Sequence, residues 1–568
     1  MKSSILAALF ASILAFGQTP SAKISSEARL ASAEQDTVLV WMFFSDKDAA
    51  LSKLADPTTL VSERSIERRK KSLDAPYVTE GDLPVSERYL ARVSEEGAEI
   101  RRVTKWFNGC SARVPSARLD AIAALEFVRE VRLVGRFRLN LPDEETPASP
   151  LAKSADVGSL DYGYALPQLA LMNVPDAHAA GYTGSGVVIA AFDAGFNNLG
   201  HRCFDSLDVI AAYDFVNDDA NVGDEADSGS GNHGTKVLST IAAYDPGSLI
   251  GAAYDASFIL AKTENTQSET YREEDNWLAA AEWADSIGTD IITTSLTYRE
   301  MDAGYTSYTW EDMDGETTII TRAADEAAER GVVVLNSAGN NGADPDHNTL
   351  GAPADGDNVL AIGSTTADGT RSGFSSVGPS VDGRIKPDLM AQGSVVYAAS
   401  TTDSSSYSAS YGTSYACPLA AGAVALLLQA RPELSRTEVA SLLRSTASQH
   451  DAPDRYMGWG IIDVIAAIDG DTGAGDPTPT PIDFRLSQNY PNPFNPSTSI
   501  RYALPRAAFV ELIVYNALGE RTATLVSETK PRGEHVATFD ASSLASGAYF
   551  ARLVADGRSE TIKMTLLR

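Results

Sequence analysis

A chain of 568 residues, 43% hydrophobic and 21% charged, has the make-up of a globular protein and excludes a disordered or collagen-like one; at about 100–200 residues per domain it holds about three or four domains. Its 46 Lys+Arg stand against 76 Asp+Glu, a net charge of −30, and that field repels phosphates, which excludes a sequence-independent grip on nucleic acid. Cys110, Cys203 and Cys417 are too few for a disulfide framework and form no C-x-x-C motif; at most one bridge closes, and whether Cys110 pairs with Cys203 stays open.

At the amino terminus, Lys2 precedes a short apolar run, Ile5 to Phe16, and the small-residue site Ala15-Phe16-Gly17. This predicts a signal peptide over residues 1–17. A membrane helix needs about 18 apolar residues, and neither this run nor any later one is expected to reach that length. An exported, soluble protein without a transmembrane anchor is the expectation.

Residues 37–140 read as a small α+β unit, with strands over Thr37–Phe44, Ala98–Val103 and Val128–Val134 and helices over Pro84–Glu96 and Ala117–Leu125. Residues 141–159, rich in Pro, Ala, Ser and acid, read as a linker. From 160 to 469 short all-apolar strands alternate with helices, the pattern of a parallel sheet covered on both faces. The strands are Gly186–Phe192, Phe258–Ala261, Asp290–Ser295, Gly331–Asn336 and Val359–Gly363; the helices are Thr235–Ala243, Glu273–Ile287, Ile319–Arg330 and Leu419–Gln429. Gly288 and Gly331 stand just past two of these helices, where a left-handed glycine is cheap. Residues 470–481, Gly-Asp-Thr-Gly-Ala-Gly-Asp-Pro-Thr-Pro-Thr-Pro, form a second linker. Residues 482–568 follow as strand-alternating segments, Thr498–Ala503, Phe509–Asn516, Val536–Asp540 and Tyr549–Val554, which fit an all-β sandwich.

Three polar residues stand out in the α/β region. Asp193 ends an apolar strand, where groups that act on ligands gather in open α/β sheets. His233 begins a helix in Asn232-His233-Gly234-Thr235, a setting none of the other histidines shares (His178, His201, His347, His450 and His535 read as surface or ordinary polar residues). Ser414 sits in Gly412-Thr413-Ser414-Tyr415-Ala416-Cys417-Pro418, before a small-residue helix whose N-terminus favours developing negative charge. Alone, each fits a structural role. Together they supply a hydroxyl, a base to take its proton and a carboxylate to orient the base, in the chain order Asp–His–Ser.

With Phe192-Asp193-Ala194-Gly195, His233-Gly234-Thr235, Ser337-Ala338-Gly339-Asn340 and Gly412-Thr413-Ser414 in this order, residues 160–469 resemble the subtilisin-like serine peptidases, the subtilases. The resemblance implies a three-layer fold with a mostly parallel central sheet. It implies Asp193, His233 and Ser414 as the triad and Asn340 as an oxyanion donor beside the Ser414 N–H. It places substrate along Ser295, Leu296 and Thr297 and along Ser337, Ala338 and Gly339, with Thr263 to Arg272 opposite. The sequence departs from the family's pattern at three places: Ala194 stands where Ser or Thr is usual, Tyr415-Ala416-Cys417-Pro418-Leu419 where Met-Ala-Ser-Pro-His is usual, and Thr297 where Gly is common. Cys417 reads as a packing residue.

The resemblance also makes residues 37–140 an inhibitory, folding-assisting propeptide. The tail, with Asn489-Tyr490-Pro491-Asn492-Pro493-Phe494-Asn495-Pro496, Ser546-Gly547-Ala548-Tyr549-Phe550 and the terminal Lys563 to Arg568, resembles a type IX secretion sorting domain. The expected protein is a secreted or cell-surface endopeptidase made as a zymogen and exported through the periplasm. Its partners are a protein or peptide substrate and the outer-membrane secretion machinery. The alternatives are a catalytically inactive peptide-binding relative and a transpeptidase on the same fold. The chemistry requires no cofactor. Family members often bind structural calcium, but no ligands are assigned: the acidic stretch Asp218 to Asp227 fails the EF-hand pattern and reads as a solvated loop.

Overall fold

The computed structural model describes residues 20–48, 51–134, 160–225, 230–265, 273–299, 307–470 and most of 485–567. The expected signal peptide, the linker 141–159 and all of the second linker except Gly470 lie outside the described residues.

The amino-terminal unit runs α1 (Ser26–Glu34), β1 (Thr37–Phe44), α2 (Glu63–Ser72), α3 (Glu87–Glu95), β2 (Glu99–Thr104), β3 (Gly109–Pro115), α4 (Leu119–Ala123) and β4 (Val128–Leu133). Its four strands form an antiparallel sheet in the order β2-β3-β1-β4. The two-residue period of a strand makes β1 the spine of two cores. Val38, Val40, Met42 and Phe44 pack on the unit's own helices. Leu39, Trp41 and Phe43 point the other way, into a core shared with the α/β region. This is why β1 reads as apolar on every residue from Val38 to Phe44. The expected helix over Ala117–Leu125 shrinks to α4 behind a 3₁₀ turn at Ser116–Arg118. The sequence reading did not anticipate α1, α2 or β3; α2, Glu-Arg-Ser-Ile-Glu-Arg-Arg-Lys-Lys-Ser, is so basic that it shows no apolar stripe.

The α/β region then runs α5 (Leu166–Ala170), α6 (Val174–Ala179), β5 (Val188–Asp193), β6 (Asp208–Asp214), α7 (Asn232–Ala242), the hairpin β7 (Tyr244–Asp245) and β8 (Leu249–Ile250), β9 (Ser257–Lys262), α8 (Glu273–Ile287), β10 (Ile291–Thr294), α9 (Ile319–Glu329), β11 (Val333–Ser337), β12 (Val359–Thr365), β13 (Leu389–Gln392), β14 (Ser394–Ala399), β15 (Tyr407–Tyr411), α10 (Thr413–Ala430), α11 (Arg436–Thr446) and α12 (Val464–Asp469). Seven strands form one parallel sheet, ordered β13-β12-β11-β10-β5-β9-β6. Ile189 and Ala191 of β5 face α7 and α10, while Val188, Ala190 and Phe192 face α8 and α9. A sheet buried on both sides needs such uninterrupted apolar strands. Gly288 and Gly331 take positive φ, +106° and +89°, directly after α8 and α9.

Helix α10 corrects two expectations. It begins at Thr413, six residues before the predicted Leu419, and Pro418 is tolerated inside it because the Ser414 carbonyl takes the Ser295 hydroxyl in place of the N–H that proline lacks. At 18 residues it is also long and apolar enough to cross a membrane, yet nearly all of it is buried in the fold. Its apolarity serves packing between the sheet and α7. The three thiols are buried and unpaired, so Cys110 and Cys203 do not bridge.

The tail is a separate unit. It comprises β16 (Arg485–Leu486), β17 (Ser497–Leu504), β18 (Ala508–Asn516), β19 (Arg521–Lys530), β20 (Gly533–Asp540), β21 (Gly547–Ala555) and β22 (Arg558–Leu566). These make two sheets, β16-β17-β20 and β19-β18-β21-β22, around one core that includes Leu512, Phe539, Leu553 and Leu566. Strands β19 and β22 were not anticipated. Within the motif at 489–496, Asn492 Oδ1 accepts from the Thr565 N–H (2.8 Å), and Phe494 exchanges backbone hydrogen bonds with Thr565 and Leu567. Asn492 and Phe494 therefore lie along the end of the final strand.

Candidate active site

Parallel strands bring their carboxyl ends to one edge of a sheet. Here β11, β10 and β5 are neighbours, so Ser337, Ser295 and Asp193 emerge side by side. Helix α7 lays His233 in its first turn over Asp193. The approach is close: a Cβ on Gly234 would stand 2.1 Å from the Gly195 carbonyl oxygen, so only glycine fits. His233 Nδ1 meets Asp193 Oδ1 at 2.8 Å, and the same oxygen accepts the Ala194 N–H at 2.8 Å. The other carboxylate oxygen, Oδ2, is buried without a partner; the hydroxyl that Ala194 lacks is missing from the residue beside it. With Nδ1–H given to Asp193, His233 Nε2 presents a lone pair, and it too has no hydrogen-bond partner.

Ser414 occupies the first turn of α10, where a helix leaves its N–H groups without intrahelical partners. Pro418 has no N–H for the Ser414 carbonyl, which takes the Ser295 hydroxyl instead (2.8 Å). The Ser414 hydroxyl in turn donates to the Ser295 carbonyl at 3.2 Å. The histidine–carboxylate bond is thus made, and the serine–histidine bond is not. Free enzymes often hold such bonds loosely and tighten them around substrate.

Asn340 follows Ser337, Ala338 and Gly339 off the end of β11. Its Oδ1 accepts from both the N–H (2.9 Å) and the hydroxyl (3.0 Å) of Thr413. That fixes the amide's orientation and leaves Nδ2, a double donor, on the side away from Thr413. Leu296 is buried and its carbonyl accepts from Asn336 Nδ2 at 3.1 Å. Thr297 is half-buried, and its Cβ would be 2.7 Å from a Cβ built on Gly351. Of the expected opposite strand and loop, Thr263 to Asn265 are described and form irregular chain after β9; residues 266–272 lie outside the described residues.

Two neighbours of the site have no role assigned from the sequence. The Tyr415 ring stands edge-on to His233, centroids 6.2 Å apart. The signal was its place next to the serine. Glu264 is fully buried, accepting from the hydroxyls of Tyr298 and Thr263 (the latter 3.1 Å). Burial pushes its carboxyl up to about 8 against those two bonds, and the charge of Asp193 pushes the same way. Burial likewise pushes the Cys417 thiol up to about 12, so it does not serve as a second nucleophile. Of the other histidines, His201 is fully buried, and the buried His178 bonds the Tyr162 hydroxyl and the Ala252 carbonyl; of the two expected settings, surface or ordinary polar, these two take the second. Among the described residues, no three His, Cys, Asp or Glu side chains converge as metal ligands.

Comparison with known proteins gives matches to three regions of the chain. Residues 184–460 match the peptidase S8 family, described as the subtilase family. Residues 39–149 match the peptidase S8 propeptide domain of Bacteroidota, and residues 488–566 match the secretion system C-terminal sorting domain. The chain is 33% identical to subtilisin DY of Bacillus licheniformis over 299 residues, 52% of this chain and 96% of that protein. It is 30% identical to subtilisin NAT of Bacillus subtilis subsp. natto over 378 residues, 66% of this chain and 84% of the other. To a subtilisin of Bacillus pumilus it is 32% identical over 312 residues, 54% and 98% respectively.

Proposed function

Because this chain belongs to the subtilase family, and is a secreted or cell-surface serine endopeptidase carrying a propeptide, we propose that it hydrolyses protein substrates through an acyl-enzyme on Ser414. His233 takes the hydroxyl proton and returns it to the leaving amine. Asp193 holds the imidazole in the productive tautomer and stabilises its charge. The Asn340 Nδ2 and Ser414 N–H groups bind the oxyanion. Extended substrate lies along 295–297 and 337–339, with the segment that begins at Thr263 opposite, and is held by backbone hydrogen bonds, a mode of capture that tolerates many sequences. The observation that carries this reading is the 2.8 Å bond from His233 to Asp193 at the strand edge where Ser414 also lies.

The domain limits we propose are a signal peptide over 1–17, a propeptide over 37–140, a linker over 141–159, the catalytic domain over 160–469, a linker over 470–481 and the sorting domain over 482–568. Incubation of the purified protein with casein, with and without a serine-directed fluorophosphonate, tests the function. New amino termini that appear only without the inhibitor support hydrolysis. Ligated products support a transpeptidase, and no products an inactive relative.

Thr297 bears on specificity. Its side chain, at a position where glycine is common in the family, is expected to narrow the first pocket against large aromatic residues. One or two methylene-sized groups are worth about 1–3 kcal/mol, so the bias is modest. Peptide-library profiling checks it: Thr297→Gly should raise the share of Phe and Tyr, and a strong aromatic preference unchanged by the substitution would refute the assignment.

The tail has its own core, and the proposed triad and oxyanion residues all precede it. Removing residues 482–568 should leave turnover of soluble peptides within about twofold while halting passage across the outer membrane, so that the truncated protein collects in the periplasm of a host with that secretion system. Fractionation with an activity assay measures both. Export of the truncated form would make the tail a binding module instead.

A further inference from the structure

Helix α2 of the propeptide lies across the carboxyl ends of α8 and α9. These helices lead into β10 and β11, so their carboxyl ends sit at the amino edge of the sheet, opposite the edge that bears Asp193. A helix leaves its last carbonyls unpaired and its C-terminus negative. The entry into α2 and its basic face answer both needs. The Ser62 N–H and hydroxyl donate to the Ser286 (2.9 Å) and Ile287 (2.7 Å) carbonyls. Arg64 donates to the Gly288 carbonyl (3.0 Å), the Gly186 carbonyl (2.8 Å) and Asp290. Arg68 donates to the carbonyls of Thr289 and, at 3.3 Å, Arg330. The seat is shaped for this helix: a Cβ on Gly288 would stand 2.8 Å from the Arg64 Cβ.

At the centre lies a buried charge cluster. Asp285, fully buried in the last turn of α8, accepts from Arg68 and, at 2.6 Å, from Arg69. Arg69 also grips Asp82 of the propeptide with a two-pronged bond, 2.8 and 2.9 Å. Both arginines are buried. None of these contacts involves the cleft or residues 135–159, so a cut anywhere in that connecting stretch leaves all of them in place.

We propose that α2 is a basic latch that caps α8 and α9 and sets how long the propeptide stays on the enzyme after the connecting chain is cut. The inference rests on reading residues 37–140 as an inhibitory propeptide. Its energetic basis is the coupling of Asp285 to two arginines: truncating one partner of a buried charge pair leaves the other uncompensated and chiefly speeds dissociation.

The test uses the full-length chain. After purification, cleavage of the connecting stretch is followed by gel, retention of the cleaved propeptide by size-exclusion chromatography, and activity on a soluble peptide. In the wild type, the cleaved propeptide should co-elute with the enzyme and activity should lag behind cleavage. Asp285→Asn should shorten that lag about 100-fold, and Arg64→Ala, at a partly exposed residue whose loss leaves the buried cluster intact, about tenfold. The kcat/KM of the fully activated enzyme should be unchanged in both. If Asp285→Asn fails to fold, Arg64→Ala alone decides. A lag and a co-elution equal to wild type in the folded variants overturn the latch while leaving the zymogen reading standing. A full-length chain already active before any cut overturns that reading and the latch with it.

Discussion

Ser414→Ala should give a folded chain that is never cut between its propeptide and catalytic domain in isolation and shows no peptidase activity. The hydroxyl is the atom that forms the acyl bond, and neither His233 nor Asn340 replaces it. The expected scale is that of subtilisin itself, where removing the nucleophile costs about 10⁶ in kcat. Folding should be little affected, because among the described residues the hydroxyl makes one hydrogen bond, the 3.2 Å contact to the Ser295 carbonyl, worth about 1 kcal/mol. Far-ultraviolet circular dichroism with a coupled peptide assay separates the two effects. A purified variant that still cleaves casein at the wild-type rate would show that Ser414 is not the nucleophile.

The second-largest effect is expected at Asn340. Its carbonyl oxygen is spent on two Thr413 donors, which leaves the amide N–H pair free for an oxygen that gains charge as the tetrahedral intermediate forms. A donor of this kind acts on the transition state and not on the bound substrate. Asn340→Ala should therefore lower kcat by about 10²–10³, again the range known for subtilisin, while KM changes little. Asn340→Asp keeps an acceptor for Thr413 but replaces the donor with a negative charge, and it should be at least as damaging. Steady-state kinetics on one chromogenic peptide resolve kcat from KM. A rise in KM alone would mean that Asn340 binds substrate without stabilising the oxyanion.

Much of this was legible in the chain because the α/β region is locally consistent. Helix α8 was read to the residue, Glu273–Ile287, since an acidic first turn opens it and Gly288 closes it. The strands facing the site were read to within two residues at each end, because a sheet buried on both faces leaves no polar interruption. The triad residues were legible for a different reason: each stands at the end of a strand or the beginning of a helix, where side chains are aimed and not merely packed. Helix α2 escaped notice because its stability comes from partners 200 residues away in sequence, Asp285 and the carbonyls of 286–289, and no periodicity records them. Strands β3 and β22 were missed because their neighbours in the sheet, not their own composition, select the extended form. Glu264 was passed over because a lone carboxylate after a strand looks solvated until the fold closes over it. His201 and His178 show the same limit in reverse: polar residues become internal when backbone carbonyls and a tyrosine hydroxyl satisfy them.

Catalysis requires that Ser414, His233 and Asp193 act as a unit although the serine hydroxyl rests on the Ser295 carbonyl in the free protein. Labelling the activated enzyme with a fluorophosphonate, followed by peptide mapping by mass spectrometry, tests it most directly. A single adduct on Ser414 that disappears in His233→Ala is expected, since only a histidine-activated hydroxyl attacks phosphorus at a useful rate. An adduct on another serine, or undiminished labelling of Ser414 in His233→Ala, would contradict it.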